Sequence, residues 1–264
     1  AMVSQHEFLI CIAGDALLHP PAVFWMMNHL THYPRVGAVT GNPRIINRSS
    51  VLGKIQVGEF SSIIGLIKRA QRTYGRIFTV SGVIAGFRKT ALDRIGYWRD
   101  DMITEDIDVS WRLQFDHWDL QYVPKALCYI YMPETFKGLW QQRLRWAQGG
   151  IEVLFAYVPK LFKWRLRRMW PVVFEAIISV IWVYVMTAII LLYVIGLFIE
   201  LPEQWAVTTV LPNWYGIVLG TTCLIQFLVS LMIDRQYDNS RTLRTYFWVI
   251  WYPLFFWVLM TITT

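Results

Sequence analysis

An α/β domain followed by an α-helical membrane domain is the fold class this sequence predicts, on three observations. Short apolar runs ending in Gly or Asp alternate with helix-length segments as far as about Gly150, the pattern of a layered α/β domain. Hydrophobic residues make up 55% of the 264 residues, more than an ordinary soluble domain carries, and the excess collects after Trp170. Between the two lies a basic, aromatic stretch with Lys160, Lys163, Arg165, Arg167 and Arg168 directly before an apolar span. Cations in that position suit anionic lipid and the positive-inside rule. The net charge of +7 is therefore assigned to a membrane surface, and nucleic acid is not expected as a partner.

Three regions follow: 1–150 as the α/β domain, 151–170 as an amphipathic interface helix and 171–264 as a membrane domain with about three spans. Cys11, Cys128 and Cys223 are odd in number and widely spaced, with neither a disulfide framework nor metal-ligand spacing. The five histidines also lack ligand spacing. The chain begins almost inside a strand and ends inside an apolar span, so it is expected to be part of a longer protein, N-terminally incomplete.

Taken in order, Phe8–Ile12 is a continuous apolar run, expected as a strand buried on both faces of a parallel sheet. It ends at Gly14-Asp15. Pro21 suits the first turn of a helix running to about His32. Val36–Thr40 predicts a short strand stopped by Gly41-Asn42-Pro43. Val51–Tyr74 predicts one long amphipathic helix stopped by Gly75. Ile77–Val80 predicts a third strand ending at Ser81-Gly82, and a short helix follows from Thr90 or Ala91 to Gly96. Thr104 is the expected N-cap of the next helix, with acids in its first turn favoured by the dipole. Ile107, Trp111 and Phe115 follow at i, i+4, i+8 and mark its buried face. Tyr122–Pro124 and Ala126–Tyr131 predict two short strands. Phe136–Phe155 predicts a helix on which Gln142, Arg145 and Trp146 project together, with Arg143 elsewhere on the wheel. Pro159 is expected to break it, and Leu161–Trp170 to lie at a membrane interface. Val172–Ile199, Trp214–Ile233 and Tyr246 onward are the expected spans. The loop 200–213 lacks Lys and Arg whereas 234–245 holds three Arg, which places the α/β domain on the cytoplasmic side.

Four groups carry candidate chemistry. Asp106 with Glu105 is either a general base held near a cleft or only a negatively charged helix start. Asp15 is either a ligand for a hard cation such as Mg²⁺ or Mn²⁺ or an ordinary turn residue. Gln142, Arg145 and Trp146 are suited to phosphate and to a sugar or base face, or to a membrane interface. Ser81-Gly82 lets a ligand approach the backbone. The Trp residues at predicted span ends are assigned to an aromatic belt.

Ala13-Gly14-Asp15, Ser81-Gly82, Thr104-Glu105-Asp106 and Gln142-x-x-Arg145-Trp146, in that order and followed by membrane spans, resemble the processive family 2 glycosyltransferases. The strings Val39–Arg44, Gly53–Glu59 and Met102–Asp108 narrow the resemblance to bacterial synthases of β-1,6-linked poly-N-acetylglucosamine from biofilm operons. The resemblance implies a GT-A-like domain in a multi-pass protein of the bacterial inner membrane, UDP-N-acetylglucosamine as donor, and a growing polysaccharide passed outward. It implies Mg²⁺ or Mn²⁺ at Asp15, Asp106 as the base with Glu105 beside it, Ser81 and Gly82 at the acceptor, and Gln142, Arg145 and Trp146 on the diphosphate and acceptor end. A small membrane partner subunit and cyclic di-GMP are its implied partners. The family's Asp-x-Asp is Ala-Gly-Asp here, which implies a weakened nucleotide contact at Ala13. A non-catalytic truncated synthase, a transporter, and a synthase of hyaluronan, chitin or cellulose remain the alternatives.

Overall fold

This computed structural model describes residues 1–264 apart from 74, 208, 210–212, 238–239, 251–258, 260–261 and 264, and apart from the side chains of 213–216 and 240–242. Its elements run β1 (Phe8–Ile12), β2 (Leu17–Leu18), α1 (Ala22–His32), β3 (Val36–Ile45), α2 (Val51–Phe60), α3 (Lys68–Thr73), β4 (Ile84–Arg88), α4 (Lys89–Ile95), α5 (Glu105–Phe115), β5 (Asp119–Ile130), α6 (Phe136–Leu161), α7 (Trp170–Gly196), α8 (Asn213–Asp234) and α9 (Tyr246–Val249). The strands form one mixed sheet in the order β1-β4-β3-β5-β2. Only β3 and β5 run parallel.

The strand expected at Phe8–Ile12 forms, but not as a doubly buried parallel strand. It is an antiparallel edge strand on β4, half-exposed along most of its length. The Arg88 guanidinium covers the Phe8 ring at 4.9 Å and pairs with Glu7, a charged cover of the kind that protects sheet edges. The central strand is β3, all ten of whose residues are buried.

Gly41-Asn42-Pro43 does not stop β3. The ladder shifts register between Thr40 and Asn42, and the chain continues through a bulge, one of the places where a strand tolerates Pro. A Cβ on Gly41 would meet the Ala126 carbonyl at 2.7 Å. Opposite, Pro124 lies in the same irregularity, and its carbonyl accepts from Asn42 Nδ2 at 3.1 Å. For the same reason the two short strands expected at 122–131 are one strand, β5.

Ile77–Val80 forms no strand. Its amides donate to side chains instead: Ile77 to Gln114 Oε1 (3.1 Å), Phe78 to Gln71 Oε1 (3.0 Å) and Val80 to Ser110 Oγ (2.8 Å). Ser81 N–H donates to Thr40 Oγ1 at 2.8 Å. The strand that the sequence hides is β4, where Gly86 and Arg88 interrupt the apolar run.

The helical run from Val51 is continuous to Thr73, and Gly75 lies beyond it at φ +71°. Its middle, Ser61–Ile67, is wound as a π-helix, a geometry frequent near functional sites. Ser50 caps its start by accepting from the Gly53 amide at 3.0 Å. Likewise α6 is one helix to Leu161: Thr135 caps its start, and Pro159 sits in its last turn, just before the helix ends. A 3₁₀ stretch, Trp164–Met169, follows where an interface helix is expected.

Among the described residues, two helices are long and apolar enough to cross a membrane, Trp164–Gly196 (counting that 3₁₀ stretch) and Ile217–Asp234. The expected third span is helical over Tyr246–Val249; most of its remainder lies outside the described residues.

Candidate active site

The site gathers where α5 begins. Thr104 occupies the N-cap position without a side-chain cap bond, because its side chain is turned against α6. A Cβ on Gly149 would lie 2.3 Å from Thr104 Cγ2, so only Gly lets the two elements approach this closely. The Ile103 amide donates to Glu152 on the same helix at 3.4 Å. Gln142, Trp146 and Gly149 recur at i, i+4, i+7, so the α6 face chosen from spacing is the face that reaches the start of α5.

Asp106 is half-buried. Its Oδ2 accepts from the Gly82 amide at 3.1 Å and its Oδ1 from its neighbour Ile107 at 2.9 Å. Burial, then the adjacent Glu105 charge, push its carboxyl above the usual carboxylate range. Lys68 and the two amide bonds oppose that rise. Lys68, the first residue after the π-helix, is only 6% exposed. Burial pushes its ammonium down to about 8, with Asp106 pulling it back up. Nothing in the sequence singles this lysine out, because a lone Lys ending an apolar helical run reads as a solvated face.

Asp108, on the same helix but turned away from Asp106, shows the contrast. It is 0% exposed and consumed by Arg112 Nε at 2.7 Å and the Tyr157 hydroxyl at 2.5 Å. Of the acids that open α5, Asp108 holds the fold, and Glu105 and Asp106 are left available.

Gly82 is therefore bonded to Asp106, with Ser81 buried behind it. The Ala13 amide donates to the Val83 carbonyl at 3.0 Å, which brings the Ala13-Gly14-Asp15 loop beside the same turn. Asp15 is exposed and makes no ion pair with a described residue. Burial first and the Asp15 charge second push the Cys128 thiol up to about 11, so Asp15 faces β5. Among the described residues no group of three His, Cys, Asp or Glu converges. A divalent cation at Asp15 would thus take one protein carboxylate and fill its shell from ligand oxygens and water, as Mg²⁺ commonly does. The free carboxylate fits that role.

The helix α6 divides its two arginines. Arg143 is buried, pairs with Glu59 at 2.6 Å and stacks over Trp146 at 4.6 Å. Arg145 is exposed. Gln142 Oε1 and Thr104 Oγ1 are buried without a hydrogen-bond partner among the described residues. Trp146 packs partly against the sheet core and Phe60, so part of its ring is structural.

A poly-β-1,6-N-acetyl-D-glucosamine synthase of Staphylococcus epidermidis is 41% identical over 256 residues, covering 97% of this chain and 62% of the relative. A synthase of the same name from Staphylococcus aureus (strain COL) is 40% identical over 260 residues, with the same coverages. The chain thus spans about three-fifths of the length of these curated relatives. The mannosyltransferase PcManGT from Pyrobaculum calidifontis, solved in complex with GDP-Man and Mn²⁺, superimposes with a TM-score of 0.55 at 16% identity, over 99% of this chain and 61% of that one. That likeness shows a GT-A-like glycosyltransferase fold. The description "Glycosyl transferase family group 2" matches residues 8–260, and the chain belongs to that family.

Proposed function

We propose that this chain carries the acid–base corner and membrane helices of an inverting, processive glycosyltransferase. The enzyme polymerises N-acetylglucosamine from UDP-N-acetylglucosamine into β-1,6-linked polysaccharide and passes it across the inner membrane, with its α/β domain in the cytoplasm. The observation that carries the reading is Asp106: a carboxylate held by two backbone amides, without an ion pair among the described residues, at the meeting point of α5, the Gly82 turn and α6. The names of the relatives support the choice of sugar and linkage.

In this reading Asp106 accepts the proton of the acceptor's C6 hydroxyl, and its upward-shifted acidity suits a base working near neutral pH. The freed O6 attacks C1 of the donor sugar, and the C1–O bond to the diphosphate breaks as UDP departs. The Gly82 and Ile107 amides fix the carboxylate in place, and the acceptor sugar lies over Ser81 and Gly82. Arg145 meets the diphosphate, and Gln142 Oε1 takes a hydroxyl or amide proton that no described residue supplies. A divalent cation at Asp15 would neutralise charge building on the leaving group. The apolar helices α7 and α8, with few polar groups, provide the adjoining membrane region.

The experiment is incorporation of radiolabelled sugar into polymer by membranes carrying the full-length protein, with UDP-N-acetylglucosamine, UDP-glucose and UDP-glucuronate as separate donors. Polymer from the first alone is expected. Polymer from UDP-glucose alone, or only from the glucuronate and N-acetylglucosamine donors together, would assign a different polysaccharide.

A further inference from the structure

The apolar helices α7 and α8 carry few polar residues, and three of these meet one element. Glu175 of α7 accepts from Gln71 Nε2 at 3.1 Å. Gln226 of α8 donates to Ser62 Oγ at 2.8 Å. Asp234, the last residue of α8, is 0% exposed, and its carboxylate packs over Gly65, where a Cβ would lie 2.9 Å from Oδ2. Ser62, Gly65 and Gln71 all belong to the run 61–73, which contains the π-helix and α3.

Asp234 also reaches beyond that run. It pairs with Arg44 of β3, and Arg69 stands 3.9 Å from its other oxygen. The Arg69 guanidinium lies over the Tyr122 ring of β5 at 5.5 Å and over Tyr237 at 5.6 Å. A carboxylate buried this completely is costly unless paired, so its place at the joint of sheet, π-helix and apolar helix is specific. Lys68 is the residue next to Arg69. At its far end the run is tied to the active-site turn, since Gln71 Oε1 receives the Phe78 amide four residues before Gly82.

We infer that Asp234 is a positioning residue: by clamping the run 61–73 between β3 and α8, it sets the place of Lys68 beside Asp106 and so couples the seating of the apolar helices to the acid–base site. This rests on the reading of Asp106 as the base. The charged groups around Asp106 are Glu105 on its own helix and Lys68 on α3, with Glu152 of α6 at the neighbouring Ile103 amide. The clamp controls Lys68, the only cation among them. Glu175, Gln226 and Asp234 thus all serve as contacts between the apolar helices and the α/β domain.

The test is the pH dependence of kcat for polymer formation by the full-length protein in membranes, comparing wild type, Lys68→Met, Asp234→Asn and Asp234→Glu. Asp106 acts unprotonated, so activity falls as pH drops through its pKa. Lys68→Met removes a cation that stabilises the carboxylate and is expected to move this acid limb to higher pH. Asp234→Asn is expected to move it the same way by about half a unit or more, and Asp234→Glu to restore it in part. A lower yield of Asp234→Asn with the acid limb and KM of wild type would overturn the inference and leave a purely structural pair. If Asp234→Asn fails to insert, Ser62→Val, which removes the Gln226 contact, is read in the same way. Wild type without polymer at any pH from any donor sinks the reading of Asp106 itself, an outcome distinct from an unshifted limb.

Discussion

The turn that holds Asp106 and the loop that holds Asp15 are built on opposite terms. Asp106 is half-buried, fixed by two amides and flanked by a buried lysine. Asp15 is exposed at the end of an edge strand and has no cationic partner among the described residues. The first carboxylate is organised before any ligand arrives, as a group that must meet a proton at short range requires. The second is left for its ligand to organise, as suits a hard cation that keeps water and phosphate oxygens in its shell.

The largest expected effect breaks the first half. Asp106→Asn keeps shape and volume but cannot take a proton, and polymer formation should fall by about 10²–10⁴-fold, the usual worth of a positioned base. Turnover within a few fold of wild type would remove Asp106 from the mechanism.

Next come the two arginines of α6, which separate holding from acting. Arg143→Ala removes the ion-pair partner of the buried Glu59 and should cost about 3–5 kcal/mol of stability, seen as a lowered Tm in detergent. Arg145→Ala should leave Tm unchanged and weaken UDP retention about tenfold, the scale of one charge-assisted contact. Equal Tm losses for both would erase the distinction.

A smaller gain sharpens the other half. Ala13→Asp in the full-length protein should raise UDP affinity by about 1–3 kcal/mol, the worth of a hydrogen bond to a charged group, measured by titration calorimetry. An unchanged affinity would mean that this position does not touch the nucleotide. The smallest effect is electrostatic: Glu105→Gln removes the like charge that raises Asp106, so the acid limb of the rate should move to lower pH, opposite in sign to Lys68→Met.

Much of this was legible in the sequence because the signals were local. Thr104-Glu105-Asp106 announces a helix start, and Gln142, Arg145 and Trp146 share a face by spacing alone. What escaped depends on distant partners. Gly41-Asn42-Pro43 reads as a stop, but β3 continues because extra residues of β5 around Pro124 take up the register shift and the ladder resumes at Asn42. Ile77–Val80 has strand composition, yet its amides go to Gln71, Ser110 and Gln114, which only the folded chain brings near. Lys68 gains its significance from burial and from Asp106, 38 positions away by their numbering, and no periodicity reports that. Asp234 looks like the polar end of a span until Arg44 is seen against it.

The most direct test of the central claim is radiolabel from UDP-N-acetylglucosamine appearing in polymer, made by membranes that carry the full-length protein as wild type or as Asp106→Asn at matched amounts of inserted protein. Polymer from wild type and essentially none from the variant is the result expected of a base at Asp106. Polymer from both at similar rates would contradict it.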